Sequence, residues 1–248
     1  MKNYTDLFID FDDTLYDTHG NAIIALSEIF QYFHLDQYFQ QEKDFTEPYW
    51  TANVILWSQY SAGEITRDYL IVERFRRPLA CGVVKTVLPD GRVQETPFEP
   101  TREFCLEVSD KFLELCSEKP GVVPGAHKLM RYLKGKGYRT HLCSNGFHEV
   151  QYKKLRASNL FKFFDTVILS EDAGANKPSA EYFSYAFQVS GANPGTTLMI
   201  GDNFVTDIQG AQRAGLDVLF FNAHPGSFQA PEPVNYEVNH LPEIMHIL

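Results

Sequence analysis

The chain has 248 residues, 44% of them hydrophobic, including 20 Phe and 13 Tyr. At about 100–200 residues per domain this suits one core with a large insertion or two modest domains, and the apolar content excludes a wholly disordered chain. Lys plus Arg number 22 against 32 Asp plus Glu, a formal charge of −10, which argues against polymeric nucleic acid or a membrane surface as partner because both need clustered positive charge; a small phosphorylated ligand needs only a few local groups or a metal and stays open.

The first residues read MKNYTDLFIDFDDTL. Asp6, Asp10 and Asp12 interrupt any apolar run, so no signal peptide is expected, and no stretch approaches about 18 apolar residues, so no membrane-spanning helix is expected. Cys81, Cys105, Cys116 and Cys143 form no C-x-x-C pair; zinc and redox readings lack support, and free thiols in a cytoplasmic protein are the expectation.

In chain order, Leu7-Phe8-Ile9 reads as a buried strand ending in acids. Apolar positions Ile23, Leu26, Phe30 and Phe33 predict a helix over 21–33. Residues 35–78 are helical in flavour and rich in aromatics. Valines on both sides of Pro89-Asp90-Gly91 predict a small hairpin near 82–98, and 102–118 is helical again. After Pro120 strands and helices alternate: helix to about Lys136, strand 140–143, helix 147–158, strand 166–169, helix 179–190, strand 197–200, helix 205–214, strand 218–221. That alternation predicts an α/β fold, a Rossmann-like parallel sheet covered on both faces. Its core would be 1–16 with 119–248, interrupted by a mostly α-helical insertion over 17–118.

In such sheets ligands bind beyond the carboxyl ends of the strands. The groups found there are Asp10-Phe11-Asp12-Asp13-Thr14, Ser144-Asn145-Gly146, Ser170-Glu171-Asp172 with Asn176-Lys177-Pro178, and Gly201-Asp202 with Asp207. Converging carboxylates repel, so they stay protonated or bind a cation. An all-oxygen donor set favours Mg²⁺. A lysine and a hydroxyl beside it suit phosphate oxygens, one carboxylate can act as a nucleophile, and a second, two residues on, can serve as general acid and base. His19, His141 and His148 have no partnered nucleophile and are expected to pack or lie at the surface. Glu171 and Asp172 could line the site or cap the next segment.

These elements, in order along the whole core, resemble the four motifs of the haloacid dehalogenase superfamily of hydrolases: Asp10-Phe11-Asp12-Asp13-Thr14-Leu15, Ser144, Lys177-Pro178, and Gly201-Asp202 with Asp207. Asp13 stands where glycine is often found. The resemblance implies that Asp10 attacks phosphorus, Asp12 is general acid and base and offers its backbone carbonyl to the metal, and Thr14 orients the acid pair. It further implies that Ser144 with Asn145 binds phosphate, and that Lys177 neutralises nucleophile and phosphate. Asp10, Asp12 and Asp202 would hold Mg²⁺, or Mn²⁺ in its place, and Asp207 would support the metal site or its waters.

The resemblance makes the insertion a cap. Trp57-x-x-Tyr60-x-x-Gly63-x-Ile65-Thr66 with Arg74-Phe75 is similar to the noncanonical pyrimidine nucleotidases, as are Ser144-Asn145-Gly146-Phe147 and Asn222-Ala223-His224; the hairpin is a departure from them. Trp50, Trp57 and Tyr60 could stack on a base, though their near-helical spacing also suits a core. The implied activity is a phosphomonoesterase, a 5′-nucleotidase on nucleoside monophosphates, working as monomer or homodimer. The alternatives are a phosphatase of a sugar phosphate or phosphoglycolate, a phosphomutase, a silenced binding module, and a 2-haloacid dehalogenase, the last disfavoured by Asp12.

Overall fold

A computed structural model describes residues 3–226 and 228–248. The chain divides into two compact units, one running through Gly20 and resuming over Ser117–Leu248, the other Asn21–Cys116. The first strand, β1, is Asp6–Ile9. The boundaries of the second unit fall inside helices α1 (Thr18–Tyr32) and α4 (Arg102–Glu118).

Between them the second unit holds α2 (Lys43–Ser61), α3 (Arg67–Leu79) and the antiparallel strands β2 (Val83–Val87) and β3 (Val93–Pro97). Its core gathers Leu26, Ile29, Phe45, Tyr49, Phe75, Val108 and Phe112. The buried stripe of α1 is Ala22, Ala25, Leu26, Ile29 and Phe30, while Ile23 is 49% exposed. The helix forms as expected, but small alanines rather than Ile23 complete its i, i+3, i+4 face. The hairpin also forms. Lys85 faces Glu95 and Val87 faces Val93, and Gly91 supplies the positive φ of +82° in the turn. Its base is fixed by Tyr38 stacked on Phe98 at 4.0 Å.

The first unit continues with α5 (Ala126–Gly135), β4 (Arg139–Ser144), α6 (His148–Ala157), β5 (Thr166–Leu169), α7 (Ser170–Ala173), α8 (Ala180–Ser190) and β6 (Thr197–Gly201). It closes with α9 (Gly210–Arg213), β7 (Asp217–Phe221) and β8 (Tyr236–Val238). The six strands run parallel in the order β5-β4-β1-β6-β7-β8. Strand side chains alternate between faces. Leu7, Ile9, Leu142, Leu169, Leu198, Ile200 and Leu219 enter one apolar cluster, and Phe8, Cys143, Ile168, Met199, Val218 and Phe220 enter another. Both faces are therefore buried, which is why the strands read as continuous apolar runs. With β1 central, the chain leaves it toward β4 on one side and β6 on the other, the reversal point where α/β sheets bind ligands.

At the amino ends of these strands lies a buried polar pair. Asp6 Oδ1 accepts from His141 Nε2 at 3.0 Å and pairs with Arg139 at 2.7 Å, and Thr5 donates to Oδ2 at 2.8 Å. Burial opposes ionisation of Asp6, but the hydrogen bonds from His141, Thr5 and Arg139 outweigh it and hold the carboxyl below its usual range. Burial also lowers His141, against the pull of Asp6. The neutral imidazole thus donates from Nε2, and Nδ1 is buried without a partner. An unfolded imidazole gains its proton near about pH 6.5 while the folded one resists it, so stability falls as pH drops through that value; the Asp6 contribution, present above about pH 3.9, goes only as pH falls on through the depressed folded value. From about pH 7 to about pH 5 the urea midpoint of the wild type should therefore fall more steeply than that of His141→Gln. Parallel slopes for the two proteins would contradict this reading of the pair.

Candidate active site

The carboxyl ends of β1, β4 and β6 deliver Asp10, Ser144 and Asp202 to one edge, because register pairs Ile9 with both Leu142 and Ile200. Lys177 arrives from the segment after α7. Its backbone is fixed by Asn145, whose side-chain amide donates to the Lys177 carbonyl at 2.9 Å while its oxygen accepts the Lys177 N–H at 2.8 Å. The Lys177 side chain is 2% exposed. Nζ donates to Asp10 Oδ1 at 2.7 Å, Asp207 Oδ1 at 2.7 Å and the Cys143 carbonyl at 2.8 Å. Three donors meet three acceptors, so the buried ammonium is fully satisfied. Burial alone would lower its pKa, but the two carboxylates raise it well above the ordinary lysine value.

Asp207 reaches this position from a widened turn. An α-helix is expected over 205–214; instead Phe204–Gln209 forms a π-helical turn before α9. The cause is local. Asn203 Oδ1 accepts from the Val205 and Thr206 N–H groups, and Asp207 folds back to accept from Asn203 N–H at 3.0 Å. Gly201 leaves the space, since a Cβ there would sit 2.3 Å from Asp207 Oδ2. π-Turns of this kind concentrate at functional sites.

Thr14 is expected to orient the acid pair of Asp10 and Asp12. Its hydroxyl instead donates to Asp202 Oδ1 at 3.1 Å and accepts the Asp202 N–H at 3.1 Å. Asp12 is held by residues the sequence reading does not single out. Oδ1 accepts from Thr18 Oγ1 at 2.6 Å and from Lys154 Nζ at 2.5 Å, and Oδ2 accepts from Gln151 Nε2 at 2.5 Å. Burial raises the Asp12 pKa, but Lys154 together with the hydrogen bonds of Thr18 and Gln151 brings it below the usual carboxylate range. Ser144 Oγ lies 3.5 Å from Asp12 Oδ2 and accepts from Gln151 Nε2 and the Gly146 N–H. Asp13 adopts φ +59°, the left-handed region that explains glycine at such a position; Asp tolerates it here by accepting the His19 N–H at 2.9 Å. Glu171 accepts the first N–H of α6, from His148, at 2.6 Å, so it serves as a cap.

Ligand oxygens of Asp10, Asp202 and Asp207 lie within 4.8 Å of one another. Burial, together with Asp207 and Asp12, pushes Asp10 up to about 7 even against Lys177. Burial and the charges of Asp10, Asp207 and Asp13 raise Asp202 well above its ordinary value. Among the described residues, Lys177 is the cation in contact with this acid cluster. Oδ2 of Asp10 and Oδ2 of Asp202 receive no hydrogen bond from a described residue, whereas both Asp207 oxygens are engaged. Uncommitted, mutually repelling carboxylate oxygens are the donor set of a hard divalent cation, whose charge would reverse the local cost.

A model of the haloacid dehalogenase-like hydrolase family matches residues 7–215. The chain is 33% identical over its full length to YfnB of Bacillus subtilis (strain 168), a HAD-hydrolase by name, covering 97% of that protein. The crystal structure of YfnB bound to magnesium superposes with a TM-score of 0.83 over 99% of each chain, at 30% identity. The pyrimidine 5′-nucleotidase PynA of Streptococcus pneumoniae (strain R6) is 26% identical over 99% of this chain and 95% of its own. The pyrimidine 5′-nucleotidase YjjG of Escherichia coli (strain K12) is 28% identical over 88% of this chain and 86% of its own. With its strand-end acids, buried lysine and family match in agreement, the chain belongs to the haloacid dehalogenase-like hydrolases.

Proposed function

We propose that the protein is a Mg²⁺-dependent phosphomonoesterase that works through an aspartyl-phosphate on Asp10 and takes nucleoside 5′-monophosphates, pyrimidine nucleotides foremost. One observation carries the chemistry: Lys177, itself tied to Asp207, holds Asp10 Oδ1 and leaves Oδ2 uncommitted at the strand edge. The two pyrimidine 5′-nucleotidases among the relatives support the substrate class.

In this reading a carboxylate oxygen of Asp10 attacks phosphorus; Asp12, ionised in the free protein, takes up the proton of the phosphate monoanion as it binds and gives it to the leaving oxygen as the bond from phosphorus to that oxygen breaks. Water then attacks the phosphorus of the aspartyl-phosphate, Asp12 takes the water's proton, and Asp10 and inorganic phosphate are regenerated. The Ser144 hydroxyl binds a phosphate oxygen. Lys177, with all three N–H groups committed, acts on phosphate through its charge, and Asn145 acts by placing Lys177. Asp10, Asp202 and the Asp12 main-chain carbonyl would hold Mg²⁺ or Mn²⁺, with Asp207 behind them. When bound, the ion screens the negative charge gathered on the phosphoryl oxygens. Asn21–Cys116, inserted in sequence between Thr14 and Ser144, is assigned the part of a substrate-selecting cap. A cytoplasmic setting accords with this substrate class, and no helix among the described residues is long and apolar enough to cross a membrane.

Asp10→Asn should lower Mg²⁺-dependent hydrolysis of p-nitrophenyl phosphate by about a thousandfold or more with an unchanged unfolding midpoint, and chelation should do the same to the wild type. Full activity in the variant would remove Asp10 as nucleophile. In a phosphate-release panel of nucleoside monophosphates, sugar phosphates and phosphoglycolate, pyrimidine 5′-monophosphates should show the highest kcat/KM. A panel led by a sugar phosphate would discard the nucleotidase assignment and retain the phosphatase.

A further inference from the structure

Lys154 and Gln151 stand one turn apart on α6, 8% and 0% exposed. A buried ammonium costs several kcal/mol unless paired, so its placement needs a reason. Lys154 meets Asp12 Oδ1 at 2.5 Å and lies 5.2 Å from the Tyr16 ring centre. Thr18 gives Oδ1 a second donor. Both lone pairs of Oδ1 are thereby occupied.

Oδ2 is treated differently. Gln151 Nε2 spans Asp12 Oδ2 and Ser144 Oγ, and the direct approach from Ser144 is a long 3.5 Å. Two features mark this amide as deliberately placed. Its Oε1 is buried with no partner, a cost of about 1–3 kcal/mol. Gly146 leaves the amide its space, since a Cβ there would lie 2.2 Å from Gln151 Nε2.

We infer that Lys154 is a positioning residue for Asp12: with Thr18 it saturates Oδ1, so proton exchange with the leaving oxygen runs through Oδ2, which Gln151 fixes against the Ser144 hydroxyl. This rests on the phosphatase reading above, in which Asp12 is the general acid. A neutral acid can carry its proton on Oδ2 while Oδ1 remains anchored, so the pair with Lys154 persists through the step.

The test uses the dependence on leaving group. A nitrophenolate departs with little need of a proton, whereas an alkoxide requires one. Lys154→Met should therefore lower kcat/KM, which ends at formation of the aspartyl-phosphate and leaves out the later water step, about tenfold more on the best alkyl phosphate of the panel than on p-nitrophenyl phosphate. Lys154→Arg should recover part of the difference. Gly146→Ala, which crowds the Gln151 side chain, should show a smaller split of the same sign, and it carries the test with Lys154→Arg should the methionine variant not fold. Equal losses on both substrates, or none, would overturn the positioning role while the wild-type phosphatase stands. A wild type inactive on both substrates with Mg²⁺ would overturn the phosphatase reading and this inference with it.

Discussion

The site is organised by one buried ammonium. Lys177 Nζ ties Asp10 from β1, Asp207 from the π-turn after β6 and the Cys143 carbonyl at the end of β4, each at 2.7–2.8 Å. Loss of both carboxylates would strand this buried charge, at a cost of about 3–5 kcal/mol; with one of them gone, the other still pairs it. The surrounding chain is arranged to keep it in place. Asn145 grips the Lys177 backbone through two hydrogen bonds, and Gly201 leaves the gap that Asp207 fills.

A single positive charge does not balance the acids it meets. Asp202 is left raised by burial and by its neighbours, and Asp10 sits near neutrality in pKa. The chain's formal charge of −10 thus has a local expression, a knot of oxygens whose repulsion a divalent cation would relieve. The second acid, Asp12, adds to the charge felt by Asp10 but has a cation of its own. Lys154 stands beside it, and its carboxyl is depressed rather than raised. Two carboxyls two residues apart are driven in opposite directions by their surroundings, Asp10 by burial and the acids beside it, Asp12 by Lys154 and the hydrogen bonds it accepts.

Much of the sheet was legible in the sequence because burial on both faces writes itself as short apolar runs, and β1, β4, β5, β6 and β7 all fall where those runs predict. Strand β8, with only Tyr236–Val238, is too short and too polar at Glu237 to announce itself. The acids at the strand ends could be located for the same reason as the strands. What could not be read was how side chains share partners across the fold. Thr14 was expected on the acid pair and binds Asp202, because its backbone position places the hydroxyl beside the β6 terminus. Lys154 and Gln151 look like the polar face of an amphipathic helix; the available signal was that both share the buried side of α6 with Val150 and Leu155. The π-turn was invisible because nothing in the helical spacing of 205–214 announces that Asp207 folds back on Asn203, where Lys177, 30 residues away in sequence, meets it.

The proposed function requires the carboxylates of Asp10 and Asp202 to hold a divalent cation between them. Thermal unfolding with and without Mg²⁺ addresses this without assaying turnover. At about a hundredfold excess over Kd the ion should stabilise the wild type by about 2.7 kcal/mol, raising Tm by about 5 °C or more. Asp202→Asn, relieved of one repelling charge, should start at an equal or higher Tm and show no Mg²⁺ shift. An unshifted wild type, or the same shift in both proteins, would contradict the assignment of these oxygens to a metal.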